Sequence, residues 1–345
     1  MPDRRPSRLA SDDSPPVERR TAKIILRLLA LLVALSVPSI YFGCAVSKGI
    51  NQSIVMKEET GWKAATKPSQ SNKPLVAIVV CTKSLPDWGN RISATGLHTL
   101  LIPSIERTVT LYELRHYRIE FVVGFDKGDQ FWENEAIRKA LGNETIFPIN
   151  FVSIAKNPDR PHHIPFNQAC RAAYEYGAEY IARVNDDTEF VSNDWIHKGI
   201  TELSRYDPPN VGVVGPNFKE GNTGILTHDF VHRTHLEIFD NYYPDEFDNW
   251  WIDDWITLVY KRTGRCKKMM DWTVKHHVKL HGGSNSRYQI THDQKKMLES
   301  TVQRGVNQIN AFLQNKTGEP IHKVLGTPMI HRVWGPMEYL HNPAA

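Results

Sequence analysis

The chain has 345 residues, 41% hydrophobic and 23% charged, with a formal net charge of +4. That length and balance describe a globular protein able to bury a real core as one large domain or two ordinary ones. Residues 1–27 hold seven basic and four acidic side chains and so carry most of the net charge; the near-neutral remainder argues against a nucleic-acid surface.

Leu28 to Val46 is a run of nineteen uncharged residues, extended by Ile24-Ile25-Leu26 if Arg27 snorkels. It reads as a signal anchor over 24–46. The basic residues before it predict that a tail, 1–23, stays in the cytosol while the bulk of the chain is lumenal or extracellular. Cleavage near Gly43-Cys44-Ala45 is the competing reading, which a 27-residue leader suits less well. Residues 47–73 are polar and aperiodic, a stem that holds the following domain off the membrane. Four cysteines, one of them inside the apolar run, show no metal-binding spacing and exclude a disulfide scaffold. Sequons at Asn51, Asn143 and Asn315 suit a secretory-pathway location.

Beyond Pro74 the pattern changes sharply. Leu75–Thr82 is a continuous apolar run, the mark of a strand buried on both faces. A helical pattern with Leu97, Leu100, Leu101 and Ile105 near one face follows. Tyr117–Asp126 is a second strand, running into the turn Lys127-Gly128-Asp129. A helix over 133–141, a strand over 150–154 and a helix over 165–176 lead to a further strand, Tyr180–Val184. This alternation implies a single, mostly parallel sheet with helices on both faces, whose ligands sit beyond the carboxyl ends of the strands. Thr82, Asp126 and Asn185-Asp186-Asp187 then lie along one rim.

Two adjacent acids at the tip of a buried strand repel each other and lose solvation. Either they hold a hard divalent cation against diphosphate oxygens, or Asn185 and the acids make Asx-type bonds to their own backbone. A helix over 194–203 capped by Ser192 or Asn193 and a strand over 211–216 come next. Residues 217–250 show little periodicity and suit loops that form a binding surface. Phe247–Tyr260 gathers aromatics around a second acidic pair, Asp253-Asp254, entering a helix. His276, His277 and His281 precede Gly282-Gly283, and a polar helix spans 293–314 before a tail, 321–345.

A strand-rich first half, the Asn185-Asp186-Asp187 tip, a later acidic pair before a helix and a histidine near the C-terminal end together resemble the GT-A class of nucleotide-sugar glycosyltransferases. The resemblance covers roughly 74–290 and rests on the order of several weak motifs. It implies a GT-A-like α/β catalytic domain over 74–320, with a nucleotide-binding half (74–190) and an acceptor half (191–320). It further implies manganese, or magnesium, held by Asp187 and Asp186, with Asn185 standing where the first Asp is common. His277 or His281 is similar to the family's metal-binding histidine, and Phe166-Asn167-Gln168-Ala169-Cys170-Arg171 resembles the helix that touches the nucleotide. Type II topology with a short basic tail looks like a Golgi-resident enzyme.

The chemistry can also be argued from residue types. A departing nucleoside diphosphate, most often UDP in this class, gains negative charge that a clamped cation stabilises. Thr82 and Asp126 offer acceptors to a base and ribose, and Arg91 either reaches phosphate or is simply solvated. The acceptor hydroxyl of a glycan or glycoprotein needs a base, for which Asp254 or Asp253 serves; the same pair would also cap its helix. Trp250 and Trp251 would stack on a sugar or belong to the core. Two other functions compete. One is a non-catalytic, membrane-anchored glycan-binding or scaffold protein, which Asn185 keeps open. The other is a sugar-phosphate nucleotidyltransferase, against which the absence of a Gly-rich basic loop near the first strand counts.

Overall fold

Among the described residues eight strands, numbered in chain order β1 (Leu75–Thr82), β2 (Arg118–Asp126), β3 (Ile149–Ile154), β4 (Tyr180–Asn185), β5 (Thr188–Phe190), β6 (Val213–Asn217), β7 (Asp229–His232) and β8 (Cys266–His276), form one sheet in the order β3-β2-β1-β4-β7-β6-β8-β5. The computed structural model describes residues 72–218, 222–280, 287–288 and 291–318. The expected tail 1–23, the anchor 24–46, the stem up to residue 71, His281 and the tail 321–345 lie outside the described residues. The expectation of a Golgi membrane location is corrected: among the described residues no helix is long and apolar enough to cross a membrane, and the stretch on which that expectation rested is not among them.

The first half follows the sequence pattern. β1 (Leu75–Thr82) is buried at every position and pairs in parallel with both β2 (Arg118–Asp126) and β4 (Tyr180–Asn185); β3 (Ile149–Ile154) extends the parallel set beyond β2. Because strand side chains alternate between faces, β1 serves two cores. Val76, Ile78 and Val80 join one that includes Ile102 and Ile105 of helix α1 (Ile102–Thr108) and Ile137 and Leu141 of α3 (Glu135–Asn143). Ala77, Val79 and Cys81 join another, with Ala169, Cys170 and Ala173 of α4 (Phe166–Glu175). Gly124 of β2 permits that second packing, since a Cβ there would stand 3.0 Å from Ala169 Cβ and 3.1 Å from Cys81 Sγ. The architecture is thus a mixed α/β sheet, parallel in four of its seven pairings, with helices on both faces.

The second half departs from expectation. Within 217–250, read as loops, lies β7 (Asp229–His232), antiparallel to β4 and to β6 (Val213–Asn217). Four residues with acid and imidazole at the ends give no strand pattern; Asp229 is tolerated inside because other buried side chains satisfy it, as described below. β8 (Cys266–His276) also escapes the sequence, because lysines and Asp271 interrupt its apolar alternation. Its far end pairs antiparallel with β5 (Thr188–Phe190), setting His276 opposite Thr188.

Helix α5 (Trp195–Leu203) begins where expected, but neither Ser192 nor Asn193 caps it. Asp194 is the N-cap residue, at φ 67°. The free N–H groups of Ile196 and His197 donate instead to Glu113 Oε1, at 2.8 and 3.1 Å, from the neighbouring helix α2 (Leu111–His116). The expected polar helix over 293–314 is a 3₁₀ turn, His292–Met297, followed by α7 (Leu298–Thr317). It lies close against α6 (Ile252–Arg262), since a Cβ at Gly305 would stand 2.5 Å from Val259 Cγ2. Cys81, Cys170 and Cys266 are free thiols.

Candidate active site

Strand register sets the rim. Cys81 stands opposite Asn185 and Thr82 opposite Phe125, so Thr82, Asp126 and the Asn185-Asp186-Asp187 tip share one edge. Asp186 is only 2% exposed, and a buried carboxylate requires neutralisation. Thr82 Oγ1 donates to Asp186 Oδ2 at 2.9 Å. Arg287 supplies the counter-charge in a bidentate fork, Nη1 to Oδ2 and Nη2 to Oδ1, the latter at 2.7 Å. Lys83 Nζ donates to the Arg287 carbonyl at 2.9 Å and lies 5.0 Å from the centre of the Tyr288 ring. Asp126, also on the rim, has Lys156 Nζ at 3.6 Å.

Asp187 sits differently. Its Oδ1 is buried, with His276 Nε2 3.1 Å away as its ion-pair partner, and Asn185 Nδ2 approaches the same nitrogen at 3.4 Å. Burial alone would lower the His276 pKa; the bond to and charge of Asp187 outweigh it, so the imidazole is held above its ordinary value. Behind it, His228 is bonded through Nε2 to Thr188 Oγ1 at 2.5 Å, and burial with the nearby charges of His276 and Arg183 keeps it neutral. The ring of His277 faces the other way, to Glu189 Oε2 at 3.1 Å, while its backbone N–H donates to the Asp187 carbonyl at 2.8 Å. β8 ends at His276, and His277 just beyond it turns its ring to the other side, so His276, rather than His277, meets the strand tip.

Among the described residues no group of three or more His, Cys, Asp or Glu side chains converges to hold a metal ion. Asp186 is committed to Arg287 and Thr82. The Asp187 oxygen and the His276 nitrogen paired with it make a two-donor set, which suits manganese or magnesium shared with substrate phosphates and not an all-protein centre.

Asp253 of the acidic pair reaches this region through Arg183. Its guanidinium, 1% exposed, donates from Nε to Asp229 Oδ2 at 3.0 Å and to Tyr243 Oη at 2.6 Å. Nη1 donates to the Thr227 carbonyl at 2.7 Å, and Nη2 to Asp253 Oδ1 at 2.5 Å. Tyr242 and Tyr243 hydroxyls both donate to Asp229. One arginine of β4 thereby ties β7 and the first turn of α6 to the strand that carries the acidic tip. Burial pushes the Asp253 carboxyl above its ordinary value, against the pull of Arg183. Asp254, 2% exposed, has a buried Oδ1 with no hydrogen-bond partner, and burial raises its pKa to about 6, with Lys295 opposing.

Both acids lie in the first turn of α6, which has no side-chain cap, so they also meet the positive end of the helix. Trp251, before them, has φ 70°, a conformation that costs a bulky residue about 1–3 kcal/mol and that packing must enforce. It belongs to the core at 4% exposure, with Lys295 Nζ 5.5 Å from its ring centre. Trp250 is half-buried, its ring 6.2 Å from that of His292.

Three other sequence candidates stand apart from the rim. Arg91 is exposed and donates to the carbonyls of Asp87 and Trp88. Asn167 is buried and brackets the Tyr243 backbone, donating to its carbonyl at 2.9 Å and accepting from its N–H at 2.7 Å. Arg171 donates to the Asp240 carbonyl and stacks on Tyr174. The last two fasten α4 to the loop that carries Tyr243, and so support Arg183 indirectly. Sequence reasoning gave no role to Arg183, His228 or Arg287. Arg183 had a signal, being a charge inside an otherwise apolar strand; the other two had none. Cavities of about 460 Å³, lined by Asp240, Asp245, Glu246 and Arg304, and of about 560 Å³, lined by Tyr112, Asn193 and His197, both lie away from the rim.

No family model and no curated protein matches the sequence. Among solved structures the chain is similar to S. aureus TarS 1-349 in complex with UDP, at 13% identity over 71% of this chain and 72% of that one, with a TM-score of 0.43. It is also similar to GalNAc-T7 with UDP, GalNAc and Mn2+, at 11% identity over 73% of this chain and 52% of that one, with a TM-score of 0.45. A third is glucosyl-3-phosphoglycerate synthase from Mycobacterium tuberculosis in complex with Mn2+, UDP and phosphoglyceric acid, at 10% identity over 69% and 79%, with a TM-score of 0.38. Likenesses at this level carry no argument about chemistry.

Proposed function

We propose that the chain is a glycosyltransferase that moves a sugar from a nucleoside-diphosphate donor, a UDP-sugar in the first instance, to a hydroxyl of a glycan or glycoprotein. The observation that carries this reading is the convergence on β4: acids at its tip, and through Arg183 a second acidic turn from a different part of the chain. In this reading residues 74–190 bind the nucleotide and 191–320 the acceptor.

Thr82 and Asp126 receive the base and ribose, whose N–H and hydroxyl groups need acceptors. Asp187 and His276, with Asp186 once freed from Arg287, would hold a divalent cation, which when bound stabilises the charge of the departing diphosphate. Asp254 accepts the proton of the acceptor hydroxyl as its oxygen bonds to the anomeric carbon and the bond to the diphosphate breaks. A pKa of about 6 leaves it ionised, and basic enough to take that proton, at neutral pH. Arg183 holds Asp253 and the turn in place, and Trp250 offers its ring to the acceptor.

The test is a panel of nucleotide sugars, with release of nucleoside diphosphate measured with manganese and with chelator. Turnover of one donor is expected, lost in Asp187→Ala; a protein inert toward the whole panel would leave a glycan-binding role in its place.

A further inference from the structure

We propose that Arg287 and Tyr288 are an autoinhibitory contact, an internal occupant of the nucleotide side of the rim that the donor must displace. The inference rests on the donor-site reading above and adds regulation to it.

Three observations carry it. Arg287 uses both terminal nitrogens on both oxygens of Asp186, so this carboxylate is neutralised by the chain itself and has no oxygen free of the guanidinium. Tyr288 places an aromatic ring beside Lys83, immediately after β1, and its hydroxyl is buried without a hydrogen-bond partner. Burial, with the neighbouring Cys81, Asp126 and Asp186, drives the pKa of that hydroxyl well above its ordinary value, against the opposing pull of Arg287. Cation and planar ring thus occupy, on Asp186 and beside Asp126, the two places that the same rim would offer to a metal-bound diphosphate and to a nucleobase.

The arrangement is poised for exchange. A phenol hydroxyl enclosed without an acceptor is poorly satisfied, and any ligand that bonds to Asp126 and regains the Asp186 charge replaces both contacts together. Neither half exchanges easily alone. If Arg287 departs without a cation arriving, the buried Asp186 loses its guanidinium counter-charge. Apparent donor affinity is then the intrinsic affinity reduced by the fraction of molecules in which the contact is open.

The experiment titrates the full chain with UDP, with and without Mn2+, by calorimetry. Wild type is compared with Arg287→Ala, Tyr288→Ala, Tyr288→Phe and the milder Arg287→Gln, each checked for its fold by circular dichroism. With Mn2+, both alanine variants are expected to bind UDP about tenfold tighter or more, with Arg287→Gln following the same direction. Tyr288→Phe, which keeps the ring and sheds the unpartnered hydroxyl, is expected to bind no tighter than wild type. Mn2+ alone is expected to raise the melting temperature of Arg287→Ala more than that of wild type. Unchanged UDP affinity in the alanine variants overturns the contact while leaving the donor site intact. Weaker affinity overturns it by making Arg287 a phosphate ligand. If no variant, opened or closed, binds UDP or any other nucleoside diphosphate, the donor-site reading falls and the contact with it.

Discussion

Asp254→Asn is expected to remove activity and add stability, and the two effects have one cause. Burial raises the Asp254 pKa from 3.8 to about 6, which corresponds to roughly 3 kcal/mol of preference for the protonated form in the folded state. A carboxyl whose folded pKa is raised contributes stability that is full below the unfolded pKa and is lost as pH climbs through the folded one. Wild type therefore carries the cost of an ionised, enclosed Asp254 above about pH 6, where asparagine carries none. From that gain are subtracted the lost attraction to the helix end, roughly 0.3–1 kcal/mol, and the imperfect bonding of a buried amide, about 1 kcal/mol. A net stabilisation of about 1–2 kcal/mol at pH 8 remains, shrinking toward zero near pH 4. Urea unfolding of both proteins at the two pH values measures it. Turnover should fall by roughly 10²–10⁴ in the variant with donor affinity unchanged, and wild-type turnover should decline as pH drops below about 6. A variant no more stable than wild type at pH 8, or one more stable by the same amount at both pH values, refutes the electrostatic account; equal loss of turnover and donor affinity refutes the role as base.

Arg183→Leu removes the shared cation and leaves Asp229 enclosed, which should cost about 3–5 kcal/mol; a loss under about 1 kcal/mol in chemical denaturation would show that the network is incidental. Gly305→Val forces α7 away from Val259 and should cost about 1–3 kcal/mol, seen as a lower melting temperature; an unchanged one would mean the helices separate freely. Trp250→Ala should raise the KM for the acceptor roughly two- to tenfold with kcat little changed, whereas a matching rise in the donor KM would place the ring on the nucleotide side.

The sequence by itself determined the parallel half of the sheet. Leu75–Thr82, Tyr117–Asp126 and Tyr180–Val184 are largely apolar runs because helices cover both of their faces, and each ends at or just before a polar residue, Thr82, Asp126 or Asn185, because a rim lies beyond it. From those runs alone the placing of Thr82, Asp126 and Asp186 along one edge follows. Only the tertiary structure decided the rest, because there polarity and burial part company. Asp229 occupies a central strand because Arg183 and two tyrosine hydroxyls satisfy it, a pairing across 46 residues that leaves no local period. His276, not His277, reaches the strand tip because it is the last residue of β8, paired opposite Thr188, while His277 lies beyond the strand and turns to Glu189. Asp186 meets Arg287 across 101 residues; no window of sequence holds both, so the cation that neutralises the acidic tip could be found only by folding the chain.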